Sequence, residues 1–417
     1  MFLTLHVNAM KAVVLAAGNG VRLRPVTDTR PKPLIPVLCK PVLGWHLDWL
    51  SRLNIDEVVL IVNYMKEMIM DYVSRFHKGL RVKYVVQDPP AGTGDAVIKA
   101  LDHLPYGEDV LIVYSDIFIK DMSVYRELVS IKEPVILGAV VDRPEHYGVL
   151  ELENGGLKSI VEKPLQPPSP IANAGVYKLN TKDIDEHKNV GVSVRGEVEF
   201  TDIVNGIARE KQVSVYTLPK GWWIDIGRPW HILEANKMAL EDLKGSIRGV
   251  VEEPVRMTGE VYIGEDSIIH SFSSLEGPVY IDSKVEVGPN ARVRPFSVIC
   301  NGSKIGFSVE VKESVLFENV KASHLAYIGD SVVCENVNLG AGTITANLRF
   351  DEKPVKMMVK DRLEDTGRVK LGAVIGGHVK TGVNVSIMPG VKIGSYSWIL
   401  PGSVVHRDVP SKTVYPR

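Results

Sequence analysis

The sequence predicts two folds in one chain: a doubly wound, mostly parallel α/β sheet, followed by a left-handed parallel β-helix of hexapeptide repeats. Two observations predict them. Apolar strand-like runs alternate with helical patterns up to about Lys244, and a strict six-residue apolar period follows. At 417 residues the chain is also too long for one ordinary core. We therefore expect a first domain at 1–245, a linker at 246–256 and a second domain at 257–417.

The pattern of the first domain predicts strands that alternate with helices. In the strand segments β-branched residues run continuously, as they do in a sheet covered on both faces. The predicted strands are KAVVLAA, DEVVLIV, RVKYVV, DVLIVYSD and EPVILGAVV, and the predicted helices are VLGWHLDWLSRLN, YMKEMIMDYVSRF and DAVIKALDHL. Ligands of such sheets bind at the carboxyl ends of the strands.

The second domain carries sixteen positions on a six-residue period, which neither a helix nor an alternating strand explains. Each is expected to point into the narrow core of a β-helix, although an irregular β-sandwich with accidental spacing is the alternative. The positions are Ile263, Ile269, Leu275, Ile281, Val287, Val293, Ile299, Ile305, Val311 and Phe317, then, after a phase slip, Ile375, Thr381, Ile387, Ile393, Ile399 and Val405. Between the two arrays, residues 346–370 are polar and aperiodic, which predicts an excursion from the coil.

Composition limits the class of protein. A net charge of -1, with 45% hydrophobic and 24% charged residues, is typical of a soluble globular protein and gives no sign of a nucleic-acid or membrane surface. The three cysteines lie far apart, in no metal or disulfide spacing, so a reducing cytoplasm is expected. The leader MFLTLHVNAM lacks the features of a signal peptide, and either Met1 or Met10 could be the start.

The loop AGNGVRLRPVTDTRPKP, residues 17–33, follows the first predicted strand. It has Leu23 where a dinucleotide fingerprint needs its third glycine, and it lacks the ending of a Walker loop. Glycines let backbone N–H groups approach phosphate oxygens, and Arg22 and Lys32 would neutralise a triphosphate. A basic surface loop is the alternative.

This loop resembles the signature of sugar-1-phosphate nucleotidylyltransferases, which make a nucleotide sugar and pyrophosphate. The likeness continues through QDPPAGTGDAV, VYSDIF, HYGVLE, VEKP, ANAGVY and WWIDIG, although Ser115 stands where the family commonly has glycine. The resemblance implies that Arg22 and Lys32 are catalytic and that Asp116 and Asp225 hold Mg²⁺. It further implies nucleotide contacts at Ala17, Gly18, Gly20, Gln87, Gly92 and Thr93, and sugar-phosphate contacts at Tyr147, Gly148, Glu162, Lys163, Asn173 and Gly175.

Elementary chemistry agrees with the metal assignment, because two carboxylates at strand ends suit Mg²⁺, which keeps waters and bridges substrate phosphates. Any lone aspartate is more often a helix cap or a turn residue. For Cys39, Trp222 and Trp223 we expect roles in packing.

The stretch VKASHLAYIGDSVVCENVNLGAGTITAN lies where the six-residue period slips. It resembles the acetyltransferase domain of bifunctional glucosamine-1-phosphate N-acetyltransferase / N-acetylglucosamine-1-phosphate uridylyltransferases, as do ARVRPF and VEVKES. The resemblance implies that His324 is the general base on the sugar amine and that three β-helices form a homotrimer. It also assigns the sugar phosphate to Arg294 and Lys312, the sugar to Tyr327 and Asn338, and acetyl-CoA to Ala341, Asn347 and Thr381.

Two departures affect substrate choice. The excursion DEKPVKMMVKDRLEDTG is longer than the usual loop, and the first loop is closer to glucose-1-phosphate thymidylyl- and uridylyltransferases. We therefore expect UTP and dTTP, with several sugar 1-phosphates, as substrates. The alternatives are a single-activity nucleotidylyltransferase whose β-helix serves assembly or regulation, and a non-catalytic subunit.

Overall fold

A computed structural model describes residues 10–193 and 195–416. The first nine residues, on which the choice between Met1 and Met10 rests, lie outside this range. The chain forms two compact units. One contains the chain up to Asn19, Pro31–Leu34 and Val42–Asp225, and the other contains Gly20–Arg30, Ile35–Pro41 and Ile226–Arg417. Within the described residues no helix is long and apolar enough to cross a membrane.

The first unit is built on a nine-stranded sheet and a two-stranded ribbon. Its strands are β1 (Lys11–Ala16), β2 (Glu57–Val62), β3 (Arg81–Val86), β4 (Asp109–Tyr114), β5 (Ile117–Ile119), β6 (Val135–Val140), β7 (Gly148–Glu153), β8 (Gly156–Glu162), β9 (Ile171–Asn180), β10 (Ser214–Leu218) and β11 (Trp223–Asp225). Its helices are α1 (Val42–Arg52), α2 (Lys66–Phe76), α3 (Thr93–Leu101), α4 (Val124–Ser130), α5 (Thr181–Glu186) and α6 (Phe200–Glu210). The five predicted strands and three predicted helices are all present as β1, β2, β3, β4 and β6 and as α1, α2 and α3.

The large sheet runs in the order β3-β2-β1-β4-β9-β6-β10-β8-β7. Strands β3, β2, β1 and β4 are parallel neighbours, so their carboxyl ends share one edge. The sheet is mixed rather than mostly parallel, because β9 runs antiparallel to both β4 and β6, and β8 runs antiparallel to β7 and β10. The composition of a buried strand indicates its burial and carries no signal of its direction.

The second unit contains three long parallel sheets whose strands alternate along the chain, which is the architecture of a parallel β-helix. The first sheet contains Ser246–Ile247, Val261–Ile263, Val279–Ile281, Ser297–Ile299, Val315–Leu316, Val332–Val333, Val374–Ile375 and Lys392–Ile393. The second contains Val250–Val251, Ile268–Ile269, Glu286–Val287, Lys304–Phe307, Lys321–His324, Asn338–Leu339, Lys380–Thr381, Trp398–Ile399 and Val414–Tyr415. The third contains Arg256–Thr258, Ser274–Glu276, Arg292–Val293, Glu310–Lys312, Tyr327–Gly329, Ile344–Thr345, Ser386–Ile387 and Val404–Val405.

An α/β domain followed by a parallel β-helix confirms the predicted fold class, apart from the mixed direction of the strands in the sheet of the first unit, and all sixteen periodic positions are buried. One of them lies elsewhere than expected. Leu316 is the residue that pairs with Ile299 in the adjacent coil, so the phase slips one residue earlier than the sequence suggested. Phe317 is buried beneath the Arg30 guanidinium, 5.0 Å from its ring centroid.

The coil begins within residues 246–256, the stretch read as a linker, since Ser246–Ile247 and Val250–Val251 already pair with β-helix strands. The predicted excursion leaves the coil after Thr345 and closes where Leu371 N–H donates to the Asn347 carbonyl over 3.0 Å. Its central part is an antiparallel hairpin of Lys356–Val359 and Arg362–Asp365, which the sequence did not predict.

The second half of the Gly-rich loop packs on the β-helix within the second unit. Arg30 forms ion pairs with Glu318 over 2.6 Å and with Glu335 over 3.3 Å. The expectation of unpaired cysteines is wrong for two of the three, because Cys39 and Cys300 form a disulfide with Cα atoms 5.3 Å apart, whereas Cys334 is a buried free thiol. The partners are 261 residues apart in sequence, so no local spacing could indicate the pair.

Helix α7 (Pro229–Leu240) also lies on the β-helix, against the strands Val315–Leu316 and Val332–Val333. Its Glu234 carboxyl is largely buried. Burial raises the pKa of Glu234 to about 7, even though Arg368 and Lys237 act in the opposite direction.

Replacing Glu234 with glutamine is expected to flatten the pH dependence of stability between about pH 4.5 and pH 7. In the folded protein the carboxyl keeps its proton to higher pH than in the unfolded chain, so the wild-type free energy of unfolding falls as pH rises through this window. The difference amounts to about 1–3 kcal/mol. Urea unfolding at pH 5 and pH 8 measures it, with Glu67→Gln on α2 as the exposed control. An unchanged slope in Glu234→Gln would contradict the assignment.

Candidate active sites

In the first unit one lysine joins two carboxylates. Lys32 Nζ donates a short hydrogen bond to Asp116 Oδ2 and a second one to Asp225 Oδ1 over 3.2 Å. Asp116 follows β4, Asp225 ends β11, and the pairing of β11 with β5 sets Asp225 opposite Ile117. The strand pairing thus brings together three residues that are far apart in the sequence.

This pair of carboxylates suits Mg²⁺. The described residues contain no cluster of three or more histidine, cysteine or acidic side chains that could enclose a metal. Mg²⁺ commonly takes one or two protein carboxylates and completes its shell with water and substrate phosphate. The ammonium of Lys32 between Asp116 and Asp225 shows that the two oxygens already converge on a cation.

Ser115, the departure from the family pattern, is buried at the end of β4. Its hydroxyl donates to the Leu15 carbonyl over 2.6 Å, and its N–H donates to the same oxygen over 3.2 Å. Ser115, which directly precedes Asp116, is therefore hydrogen-bonded to β1. The Gly-rich loop begins directly after this strand, at Ala17 and Gly18. A Cβ added at Gly18 would have no neighbour within 4 Å among the described residues beyond its own chain neighbours, so there is space for a ligand on this side of the loop.

Three of the six predicted nucleotide-binding residues follow β3. The buried Gln87 amide donates to the Gly92 carbonyl and to Asp95 Oδ2, each over 2.8 Å. Gly92 has φ 111° and precedes α3, and Thr93 Oγ1 accepts the Phe200 N–H over 3.1 Å. The amide of Gln87 is therefore held at the strand edge on which a base would be recognised.

The predicted sugar-phosphate residues converge through the pairing of β7 and β8. Gly148 lies opposite Glu162, and a Cβ at Gly148 would be 3.0 Å from Glu162 Oε1. Thr201 Oγ1 donates to the same oxygen over 3.3 Å, and Arg195 lies 3.3 Å from Oε2. Burial raises the pKa of Glu162, although the Arg195 guanidinium opposes the shift. Such a carboxylate beside a glycine can accept a sugar hydroxyl.

On β9, Asn173 donates to the Tyr177 hydroxyl over 2.6 Å and accepts the Gly175 N–H over 3.1 Å. Gly175 has φ 75°, and a Cβ there would lie 2.9 Å from the Tyr114 ring. Burial raises the pKa of Tyr114 to about 12, so its hydroxyl stays protonated. A glycine is therefore needed at position 175, because its backbone is in the left-handed region and the Tyr114 ring approaches it closely.

Replacing Gly175 with alanine is expected to slow nucleotidyl transfer about tenfold or more, because the new methyl group displaces Tyr114 and the Asn173 turn. Gly155→Ala is the matched control, since Gly155 has a similar φ of 79° and open space around it. Both variants should lose about 1–2 kcal/mol from the left-handed backbone, and only Gly175→Ala should slow pyrophosphate release. Equal rates in the two variants would exclude a role for the ring contact.

The remaining predicted residues of this half are placed as follows. Gly20 has φ 62° and precedes the short helix Val21–Leu23, which contains the half-buried Arg22. Lys163 N–H donates to the Tyr147 carbonyl over 2.9 Å. The Tyr147 ring packs edge-on against Trp223, whose indole N–H donates to the Ala174 carbonyl. The packing role expected of Trp223 is confirmed, whereas Trp222 is exposed.

In the β-helix the two predicted phosphate-binding cations lie on adjacent coils. The register of Val293 with Val311 places Arg294 one coil before Lys312. Arg294 Nη1 donates to Glu310 over 3.0 Å, while its buried Nε has no hydrogen-bond partner among the described residues. A buried guanidinium N–H without a partner is costly unless a ligand completes it.

Of the other predicted acetyltransferase residues, His324 and Asn338 lie in strands of the second sheet and Tyr327 lies in a strand of the third. His324 is exposed at the end of its strand, opposite Phe307. Tyr327 lies three residues further on, and its hydroxyl accepts the Asn347 amide over 3.1 Å. Asn338 is exposed in the next coil, opposite Lys321.

Thr381 differs from the other predicted acetyl-CoA residues because its side chain faces the interior of the coil. Its Oγ1 accepts the Gly340 N–H over 3.0 Å and shares a hydrogen bond with Thr343 Oγ1. Ala341 is half-buried, and its carbonyl accepts the Asn384 N–H over 2.7 Å. Only the backbone of Thr381 could therefore contact a ligand outside the coil.

Two residues at this site were not identified from the sequence. Asp330 is buried and accepts hydrogen bonds from Lys312 and Asn347. Arg368, which the excursion contributes, lies 3.7 Å from Asp330 and donates to Glu313 over 2.7 Å. The 18-residue spacing between Lys312 and Asp330 is a signal that could have found the aspartate.

The first unit thus carries charged residues at the carboxyl edge of its sheet, and the second carries an exposed histidine on a parallel β-helix. The nucleotidyl transferase family model matches residues 11–242, and the GMPPB C-terminal domain model matches residues 275–359. The chain is 46% identical to a bifunctional sugar-1-phosphate nucleotidylyltransferase/acetyltransferase of Sulfurisphaera tokodaii, over 96% of this chain and 98% of the relative. It is 42% identical to the bifunctional protein GlmU of Methanocaldococcus jannaschii, over 98% of each. A crystal structure of a putative glucose-1-phosphate thymidylyltransferase from Bacillus anthracis superposes with a TM-score of 0.51 at 29% identity, covering 57% of this chain and 97% of that one.

The chain belongs to the nucleotidyl transferase family and, over nearly its full length, to its bifunctional nucleotidylyltransferase/acetyltransferase members. The protein is an enzyme. The relatives that span both domains are named as bifunctional, which favours two activities over a β-helix used only for assembly.

Proposed function

We propose that this enzyme acetylates glucosamine 1-phosphate from acetyl-CoA and transfers a uridylyl or thymidylyl group from UTP or dTTP to a sugar 1-phosphate. N-acetylglucosamine 1-phosphate and glucose 1-phosphate are the proposed acceptors of the nucleotidyl group. The observation that carries the proposal is the convergence of Lys32, Asp116 and Asp225 at the carboxyl edge of the sheet, in a chain that also carries His324 on its β-helix.

In nucleotidyl transfer, a phosphate oxygen of the sugar 1-phosphate attacks the α-phosphorus of the nucleotide, and pyrophosphate leaves. Positioning and charge neutralisation account for most of the catalysis of such reactions. Lys32 and Arg22 would offset the charge of the triphosphate, with the backbone N–H groups of the Gly-rich loop at Gly18 and Gly20 against its oxygens. Gln87 would read the base, and Glu162 with Asn173 would orient the sugar.

Mg²⁺ bound by Asp116 and Asp225 would supply charge stabilisation on the phosphates. The fit rests on two carboxylates that already share one cation. The ammonium of Lys32, which lies beside both carboxylates, would add its positive charge at the same place.

In acetyl transfer, His324 would take one proton from the sugar ammonium and the neutral amine nitrogen would attack the thioester carbonyl. The C–S bond would then break, and the sulfur of coenzyme A would leave as a thiol with the second proton that the nitrogen loses. The exposed ring of His324 offers a nitrogen that can accept the proton of a substrate amine. The unpartnered Nε of Arg294, with Lys312 on the next coil, supports binding of the sugar phosphate on the β-helix.

One experiment tests both activities. A panel of sugar 1-phosphates is assayed for pyrophosphate release with Mg²⁺ and UTP or dTTP, and for thiol release with acetyl-CoA. We expect pyrophosphate release with several sugars and both nucleotides, and thiol release with glucosamine 1-phosphate. Activity with only one nucleotide–sugar pair would contradict the broad specificity, and the absence of thiol release would leave only the single-activity alternative.

We further propose that the enzyme is a cytoplasmic homotrimer in which β-helices associate side by side. Large apolar side chains on the open faces of the coil support an interface there, among them the exposed Phe272, Leu325 and Trp398. Sedimentation equilibrium should give three times the chain mass of 46.0 kDa.

A further inference from the structure

The β-helix contains a buried carboxylate next to the proposed acetyltransferase site. Asp330 is only 1% exposed, and its two oxygens lie 3.1 and 2.9 Å from Lys312 Nζ. The Asn347 amide donates to the second oxygen over 2.5 Å. Leaving a carboxylate buried is unfavourable unless such donors surround it.

The two donors are side chains that the proposed function uses. Lys312 is assigned to the sugar phosphate and Asn347 to acetyl-CoA. The Asn347 amide also donates to the Tyr327 hydroxyl over 3.1 Å, so the amide lies between the carboxylate and a side chain assigned to the sugar. Asp330 therefore contacts two of the proposed substrate-binding side chains directly and reaches a third through Asn347.

The excursion also contributes a residue that lies beside this carboxylate. Arg368 lies 3.7 Å from Asp330, and Arg368 Nη2 donates to Glu313 over 2.7 Å. The backbone of Arg368 is held in turn, because its N–H donates to Thr366 Oγ1 and its carbonyl accepts the Val355 N–H. Asp330 is thus itself held from two directions.

A second lysine–carboxylate pair on the same β-helix differs from the Lys312–Asp330 pair in its exposure to solvent. Lys304 and Glu286 are also 18 residues apart and 2.8 Å from each other, but their side chains are 43% and 39% exposed. Lys312 is 15% exposed, and its partner is buried. A lysine has four flexible bonds, and an exposed pair restrains it weakly, whereas a pair shielded from solvent holds the ammonium in one place.

From this arrangement we propose that Asp330 is a positioning residue for acetyl transfer, holding the Lys312 ammonium and the Asn347 amide where the sugar phosphate and the acetyl donor meet them. The inference rests on the proposed acetyltransferase function. The arrangement removes the need to order a long cationic side chain when substrate binds.

Asp330→Asn keeps the shape of the side chain and removes its charge. We expect the dissociation constant of glucosamine 1-phosphate, measured by calorimetry, to rise about tenfold or more, with a parallel rise in KM for acetyl transfer and a smaller change in kcat. Nucleotidyl transfer and the unfolding temperature serve as measures of folding. The matched control Glu286→Gln removes the exposed pair and should leave the dissociation constant unchanged.

A double-mutant cycle separates positioning from general destabilisation. If Asp330 acts through Lys312, Asp330→Asn should add little to the loss of binding in Lys312→Met, whereas independent effects would multiply. Unchanged or tighter binding in Asp330→Asn, or multiplicative losses in the double variant, would overturn the proposal. If the wild-type protein does not bind glucosamine 1-phosphate, the proposed acetyltransferase function is wrong, and the inference about Asp330 is wrong with it.

Discussion

Replacing His324 with alanine is expected to slow acetyl transfer about 10²–10⁴-fold, because the ammonium of the amino sugar must lose a proton before it can attack the thioester. His324 is exposed at the end of its strand, where a substrate amine can reach the ring. The measurement is thiol release at saturating glucosamine 1-phosphate and acetyl-CoA. Nucleotidyl transfer by the same preparation should be unchanged.

His406→Ala is the matched control for this variant, since His406 is another exposed histidine of the β-helix, and its Nδ1 lies 3.3 Å from the Val404 carbonyl. It should leave both activities intact. Equal loss of acetyl and nucleotidyl transfer in His324→Ala would contradict a model with two separate sites. A normal rate of acetyl transfer would remove the histidine from the mechanism.

Replacing Asp225 with asparagine is expected to slow nucleotidyl transfer about 10²–10³-fold. The substitution removes one of the two carboxylates that pair with Lys32 and that would hold Mg²⁺. Pyrophosphate release should then need a higher Mg²⁺ concentration for half-maximal rate, while thiol release stays at the wild-type level.

The control for this variant is Asp142→Asn, which removes a carboxylate from an exposed ion pair with Lys220. It should behave as the wild type, because exposed ion pairs contribute little. A wild-type Mg²⁺ dependence in Asp225→Asn would show that the carboxylate only orients Lys32. Parallel loss of acetyl transfer would instead indicate unfolding.

Much of the fold follows from local patterns. The six-residue period predicted the β-helix because each rung repeats the same inward position, and all sixteen positions are buried. Five strands of the first domain were predicted because continuous β-branched runs are local signals, whereas β9 was not among the predicted strands. The direction of β9 depends on the path of the chain between strands.

The candidate sites also combine residues that motifs identify with arrangements that depend on the tertiary structure. Lys32, Asp116 and Asp225 could be named from motifs, yet their convergence on one ammonium depends on the pairing of β5 with β11. The inward-facing hydroxyl of Thr381 depends on the coil interior, which a motif does not describe.

By itself the sequence determined the two architectures, the excursion and the identity of most chemically important side chains, because local periodicity and short motifs indicate these features. Only the tertiary structure decided the disulfide between Cys39 and Cys300, the ion pairs of Arg30 with Glu318 and Glu335, and the burial of Asp330 beneath Lys312 and Asn347. The disulfide and the Arg30 ion pairs join residues more than 250 positions apart. The 18-residue offset of Asp330 was visible in the sequence, but its burial was not. Which side chains share a low-dielectric environment is set by packing, and packing is a property of the folded chain.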